Sequence, residues 1–96
     1  MFRALGNPVR VEILHWLRDP ERHFGMYPPT ADRTQVGVCA THIQAKSGLA
    51  QSTTSANLTM LERAGLLTAT RIGKFIHYRR NEERIAAFVE ALGREL

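Results

Sequence analysis

Apolar residues at Val9, Ile13, Leu14 and Leu17 recur at the three-to-four-residue spacing that puts them on one face of a helix. Asn7 followed by Pro8 marks the start, because Asn can cap open amides and Pro occupies a first turn without losing a hydrogen bond. Asp19 and Pro20 stop the pattern, so a helix is predicted over 8–18, preceded by a short apolar arm of Met1, Phe2 and Leu5. Residues 19–37 show no sustained periodicity, and Pro28 and Pro29 forbid a helix around them. A connection of that length is unusual in so small a chain. It reads either as a functional insertion or as one containing a faint strand near 35–38. Its Phe24, Met26 and Tyr27 are expected to cover an edge of the core.

A second helix fits 39–46, closed by Ser47 and Gly48, with either Cys39 at the cap or Thr41 capping in partnership with Gln44. After a four-residue turn a third helix is predicted over 51–64, ended by Gly65. Two helices joined by a tight glycine-containing turn make a helix-turn-helix over about 39–64. Alternating segments at 66–72 and 75–80, flanking Gly73 and Lys74, predict a β-hairpin. In the last segment, 81–95, Ile85, Phe88, Val89 and Leu92 again keep helical spacing behind the capping Asn81. The expected fold is mainly α with a small β-hairpin, α+β in class, in one domain covering 1–96.

The third helix carries two patterns at once. At about 100° per residue, Leu58 and Leu61 fall within roughly 40° of Thr54, while Ser52, Ala56, Thr59 and Arg63 lie on the far side, flanked by Thr53 and Ser55. Ser and Thr are mediocre helix formers, so something other than propensity holds them there. Short hydroxyl side chains and a methyl allow a helix to sit deep in a DNA major groove and meet base edges or phosphates.

Charge sharpens this picture. Residues 1–38 hold five Arg against four acids and 81–96 two Arg against four Glu, whereas 39–80 hold Lys46, Arg63, Arg71, Lys74, Arg79 and Arg80 against Glu62 alone. The net charge of +4 therefore comes from the middle of the chain, where a polyanion would be met. The hairpin supplies Arg71, Lys74, Arg79 and Arg80 to straddle a phosphate backbone. His77, in a strand, is expected to pack or hydrogen-bond rather than catalyse.

Composition excludes several classes. A chain that is 44% hydrophobic and 23% charged is an ordinary globular one, and it has no apolar run near the ~18 residues needed to span a bilayer. No leader is visible and the single cysteine makes no internal disulfide, so a cytoplasmic protein is expected. There is no oxyanion loop and no paired carboxylate, which leaves an enzyme a distant third reading. A winged module using its basic face to bind a protein or RNA partner is the second.

The blocks "FRALGNPVRVEIL", "SGLAQSTTSANLTMLERAGLL" and "RIGKFIHYRR" together resemble the winged helix-turn-helix repressors of the ArsR/SmtB family over nearly the whole chain. The resemblance implies a homodimer that binds an inverted-repeat operator in double-stranded DNA and leaves it when an inducer, here unknown, is bound. By position it implies recognition contacts at Gln51, Ser52, Ser55 and Ala56, with Thr53 beside them, and wing contacts at Lys74 with Arg71 and Arg79. It places the dimer interface at Phe2, Leu5, Ile85, Phe88, Val89 and Leu92. Ala50 stands where a capping Ser is frequent, a change worth about 1 kcal/mol unless Ser47 or Ser52 takes over the cap. Many relatives are metal sensors with two cysteines one residue apart, but the corresponding stretch here is Cys39-Ala40-Thr41, and the last helix has no His. Cys39 and His42 lie at i and i+3, with His15 and His23 as conceivable completions, yet a sound site needs three or four ligands. No metal and no other cofactor is expected. Cys39 has two readings, a small buried hydrophobe, which is favoured, and a reactive thiol sensor at a helix start.

Overall fold

The structure, a computed structural model, describes residues 2–96, with the backbone alone at Phe2 and Arg3. A 3-10 turn at Phe2–Leu5 leads into α1 (Pro8–Arg18), where Asn7 Oδ1 accepts from Val9 N at 2.8 Å and Pro8 occupies the first turn. Then come α2 (Pro20–Phe24), α3 (Arg33–Val36), β1 (Val38–Cys39), α4 (Ala40–Ser47), α5 (Gln51–Arg63), β2 (Leu67–Ile72), β3 (Phe75–Arg80) and α6 (Glu82–Glu95). The described residues are mostly helical and carry one small antiparallel sheet.

Segment 19–37 differs from its sequence expectation. Pro20, read as a stop, opens α2, because a proline is as acceptable at a first helical position as it is disruptive inside one. Asp32 starts α3 by accepting from Thr34 N at 2.9 Å and from the Thr34 hydroxyl at 2.6 Å. Both helices are about one turn long, too short to display a period. The faint strand of 35–38 shrinks to Val38–Cys39. Phe24 is fully buried and Tyr27 packs beside it, as expected of a core edge, but Met26 points outward at 66% exposure.

The sheet order is β1-β3-β2. The hairpin pairs Ile72 with Phe75 at its tip and Leu67 with Arg80 at its base. Its two-residue turn begins at Gly73, φ 60°, with no positive φ at Lys74, the pattern of a type II′ turn that matches strand twist. One sheet face, with Leu67 and Tyr78, closes the core against Ile13, Ile43, Leu58 and Leu61. The other face carries His77, whose Nε2 shares a 2.7 Å hydrogen bond with Thr30 Oγ1, so the 25–37 connection is strapped across it.

Gly37 has no substitute in this arrangement. Its φ is 92°, and a Cβ there would stand 2.0 Å from the carbonyl oxygen of Tyr78, which belongs to rigid central-strand backbone. Gly48 also has a left-handed φ, 70°, but open space around it. Gly37→Ala should therefore cost well over the ~1–2 kcal/mol that a left-handed alanine costs alone, while Gly48→Ala should cost about that amount. Urea unfolding of the two variants checks this; equal losses would show that the β1–β3 contact is not limiting.

Candidate nucleic-acid interface

α4 ends at Ser47 with Gly48 as its cap, and α5 starts at Gln51. Ser47 fixes the turn: its hydroxyl donates to Gln44 O at 2.8 Å, accepts from Leu49 N at 3.2 Å and lies 3.4 Å from Thr54 Oγ1. It is thereby engaged with the turn and with Thr54 rather than with the first amides of α5, whose N-cap Ala50 offers no side-chain hydrogen bond, and Ser52 does not replace it. The first amides of a thirteen-residue helix are left open at a position where its dipole favours an anion.

Along α5, Thr54, Asn57, Leu58 and Leu61 are buried, between 0% and 7% exposed. Each of the two leucines contributes roughly 2 kcal/mol by leaving water. Asn57, which the rotation argument did not single out, satisfies its amide by donating to Thr53 O at 3.0 Å. Gln51, at the first helical position, and Ser52, Thr53, Ser55 and Ala56, away from the buried face, are all exposed. The chain thus presents amide, hydroxyl and methyl groups on a helix whose opposite face is anchored.

Arg71 and Lys74 are exposed on the hairpin, and the Lys74 ammonium lies 5.6 Å from the Phe75 ring centre. Arg71 shares its sheet face with Ile76 and Tyr78, the face toward the core and α5. Arg79 is differently placed from its expected role: it pairs with Thr68 at the hairpin base, projects from the opposite face, and donates to Gln35 O at 2.9 Å. Arg80 is drawn inward, donating to Leu14 O at 3.0 Å and pairing with Glu82 at 2.9 Å. Lys46 is turned toward Trp16, 5.5 Å from the ring centre. Long cationic side chains look alike in a sequence, and only tertiary placement separates those facing solvent from those serving as struts.

Of the residues expected at a dimer interface, Phe88 is only 6% exposed and belongs to the protomer's own core. Val89 is 59% exposed, Ile85 and Leu92 are half-buried on the same helix, and Leu5 is half-buried in the N-terminal turn. The Phe2 side chain and Met1 lie outside the described residues.

Cys39 is 3% exposed, its thiol 2.9 Å from Thr41 Oγ1, so it sits as a small apolar residue does. It is the N-cap residue of α4 without a side-chain capping bond, and Thr41 lies inside the helix. His42 stacks on Tyr27, ring centres 4.9 Å apart, while His15 lies against His23 at 5.3 Å. Among the described residues no three His, Cys, Asp or Glu side chains gather as a metal would need, nor is any helix long and apolar enough to cross a membrane.

A turn-locked helix pair, an exposed small-residue face and a cationic hairpin define a winged helix-turn-helix fold, and the chain belongs to the HTH-type transcriptional regulators. It is 44% identical over 96 residues to the uncharacterized HTH-type transcriptional regulator YbzH of Bacillus subtilis (strain 168), covering 100% of this chain and 95% of that one. Among solved structures it resembles the homodimeric winged helix-turn-helix DNA-binding domain (fragment 1-100) of Mb0332 from Mycobacterium bovis, described as a possible ArsR-family transcriptional regulator. The TM-score is 0.62 and the identity 28%, over 97% of this chain and 74% of that one. Rv0081 of M. tuberculosis follows at TM-score 0.59 and 25% identity, over 97% and 82%. No family model matches the chain. YbzH is described as a transcriptional regulator and the M. bovis domain as a possible one, neither as an enzyme.

The stack on Tyr27 has a pH consequence. Burial holds the His42 imidazole below its ordinary value of 6.5, and the charges of Arg33 and His77 add to the effect. Because the unfolded chain binds this proton more readily, the stabilisation is complete above 6.5 and is lost as pH falls through and below it. His42→Phe, which keeps the stack, should lose less stability than the parent between about pH 7.5 and about pH 5.5 in urea titrations. Parallel losses in both proteins would dismiss His42 as the titrating group.

Proposed function

We propose that this chain is a sequence-specific, dimeric DNA-binding repressor acting in the cytoplasm, which leaves its operator when an inducer binds. The observation that carries the reading is the exposed face of α5: Gln51, Ser52, Thr53, Ser55 and Ala56 lie together beside the uncapped start of the helix, with Arg71 and Lys74 on the adjoining hairpin. Ser and Thr hydroxyls with the Ala56 methyl would meet base edges, and the open amides would hold a phosphate. The single domain, 1–96, would supply all of these groups, with no cofactor. Arg79, on the other sheet face, is not among the contacts proposed.

Pairing would run through the outward side of α6, where Val89 is flanked by Ile85 and Leu92, together with Leu5 and the N-terminal turn. An apolar residue 59% exposed between two half-buried ones is what a helix–helix interface leaves open in a lone protomer. That the M. bovis domain is homodimeric supports pairing as such. Two α5 helices related by a two-fold axis would read half-sites of an inverted repeat about one helical turn apart.

The count of free cations sets the salt response. Arg63, Arg71 and Lys74 are the exposed basic residues on or next to this surface. If both protomers use them to neutralise about six phosphates, log affinity should fall with log salt at a slope of about −5. Lys74→Ala should weaken binding on every DNA sequence and flatten that slope by about two, one per protomer, whereas Ser55→Ala should act mainly on the preferred site, by about 1 kcal/mol or more per half-site. Fluorescence anisotropy against operator and random DNA measures both, and equal affinity for all sequences would favour instead a module that binds a protein or RNA partner. Val89→Glu should convert a dimer to a monomer in light scattering at micromolar concentration; a parent protein already monomeric there refutes the pairing.

A further inference from the structure

At the base of the hairpin, away from the exposed face of α5, lies a cleft of about 580 Å³, a size that suits a small organic ligand. Arg33, Arg79 and Arg80 converge on it. Arg33 is unusual because its side chain is only 4% exposed: Nη2 donates to Tyr27 O, Nη1 lies 3.4 Å from both Glu21 oxygens, and Nε is buried with no hydrogen-bond partner among the described residues. Arg79 has the Gln35 carbonyl as its partner and no paired acid among the described residues. Both acids that answer the guanidiniums stand in solvent, Glu21 at 63% and Glu82 at 67% exposure. Such rim carboxylates compensate buried or converging cations weakly.

The walls narrow the class of ligand. Leu17 and Pro20 form an apolar side, and Thr34, Thr68 and Asn81 add methyls and short polar groups. Glu21 and Glu82 still answer Arg33 and Arg80, which leaves the Arg79 guanidinium for a single negative charge, and a bare anion would leave the apolar side unfilled. We propose that this cleft binds a small organic carboxylate, with the carboxylate on the Arg79 guanidinium and the hydrocarbon body against Leu17 and Pro20. A planar carboxylate matches the two-pronged donor geometry of a guanidinium.

The position gives such a ligand leverage. Arg79 connects the cleft to α3 through Gln35 and belongs to β3, which runs directly to the hairpin tip. A carboxylate that draws Arg79 away from Gln35 O loosens the strap over the sheet, and so acts as the effector of the regulator. That second role rests on the DNA-binding reading; the binding site itself does not.

Calorimetry on the full chain at fixed ionic strength tests the site, using acetate, benzoate and octanoate, benzamide as the uncharged counterpart of benzoate, and inorganic phosphate. Saturable binding of benzoate or octanoate is expected, with benzamide and phosphate at least about tenfold weaker. Arg79→Met should weaken the carboxylate about tenfold or more, and Arg71→Met, which removes the same charge from the hairpin's other face, should change it less than about twofold. Absence of saturable binding by every carboxylate, equal binding of benzamide, or equal losses in the two variants would overturn the site. Anisotropy on DNA then tests the effector role. A carboxylate that binds but leaves the parent's operator affinity unchanged overturns that role and spares the site, and failure to prefer any DNA sequence counts against the DNA-binding reading alone.

Discussion

Gly37 lies against the backbone carbonyl of Tyr78, and that contact sets where everything around it can go. It lets β1 enter the sheet beside β3, with Val38 opposite Tyr78 and Cys39 opposite His77. Because α4 begins directly after Cys39, the register of a two-residue strand fixes the starting point of the helix-turn-helix. β3 is paired on both sides, so the hairpin and the 25–37 connection are held by one central strand. The geometry between α5 and the hairpin tip is therefore inherited from backbone pairing rather than from surface charges.

Much of this was legible in the sequence, for identifiable reasons. α1 announced itself through Asn7 and Pro8, the hairpin through Gly73 and Lys74 between alternating strands, and α5 through the separation of Leu58 and Leu61 from its hydroxyl-bearing positions. Each signal is local: a cap, a turn, or a period repeated often enough to count. The elements that escaped, α2 and α3, and the one that showed only faintly, β1, span five, four and two residues and are stabilised from outside themselves. Nothing near Thr30 in sequence shows that it will meet His77, forty-seven residues away.

The site divides along the same line. The exposed face of α5 follows from helical geometry once the buried face is known. The fates of the arginines do not follow from local rules. Arg33 is buried with Tyr27 O as its partner, while Arg80 reaches Leu14 O and Arg79 turns to Gln35 O through contacts between distant segments. A basic stretch uniform along the chain is sorted by the fold into surface cations and internal struts. Phe88 and Val89 illustrate the same limit, since adjacent members of one apolar stripe end in the core and in solvent.

The ammonium of Lys46 sits over the indole of Trp16, the chain's sole tryptophan, and so links the first helix of the reading pair to α1. A cation held against an aromatic face perturbs the excited state of the ring. The protein thus carries an intrinsic optical gauge: a change in how α4 rests on α1 alters tryptophan emission without any added dye.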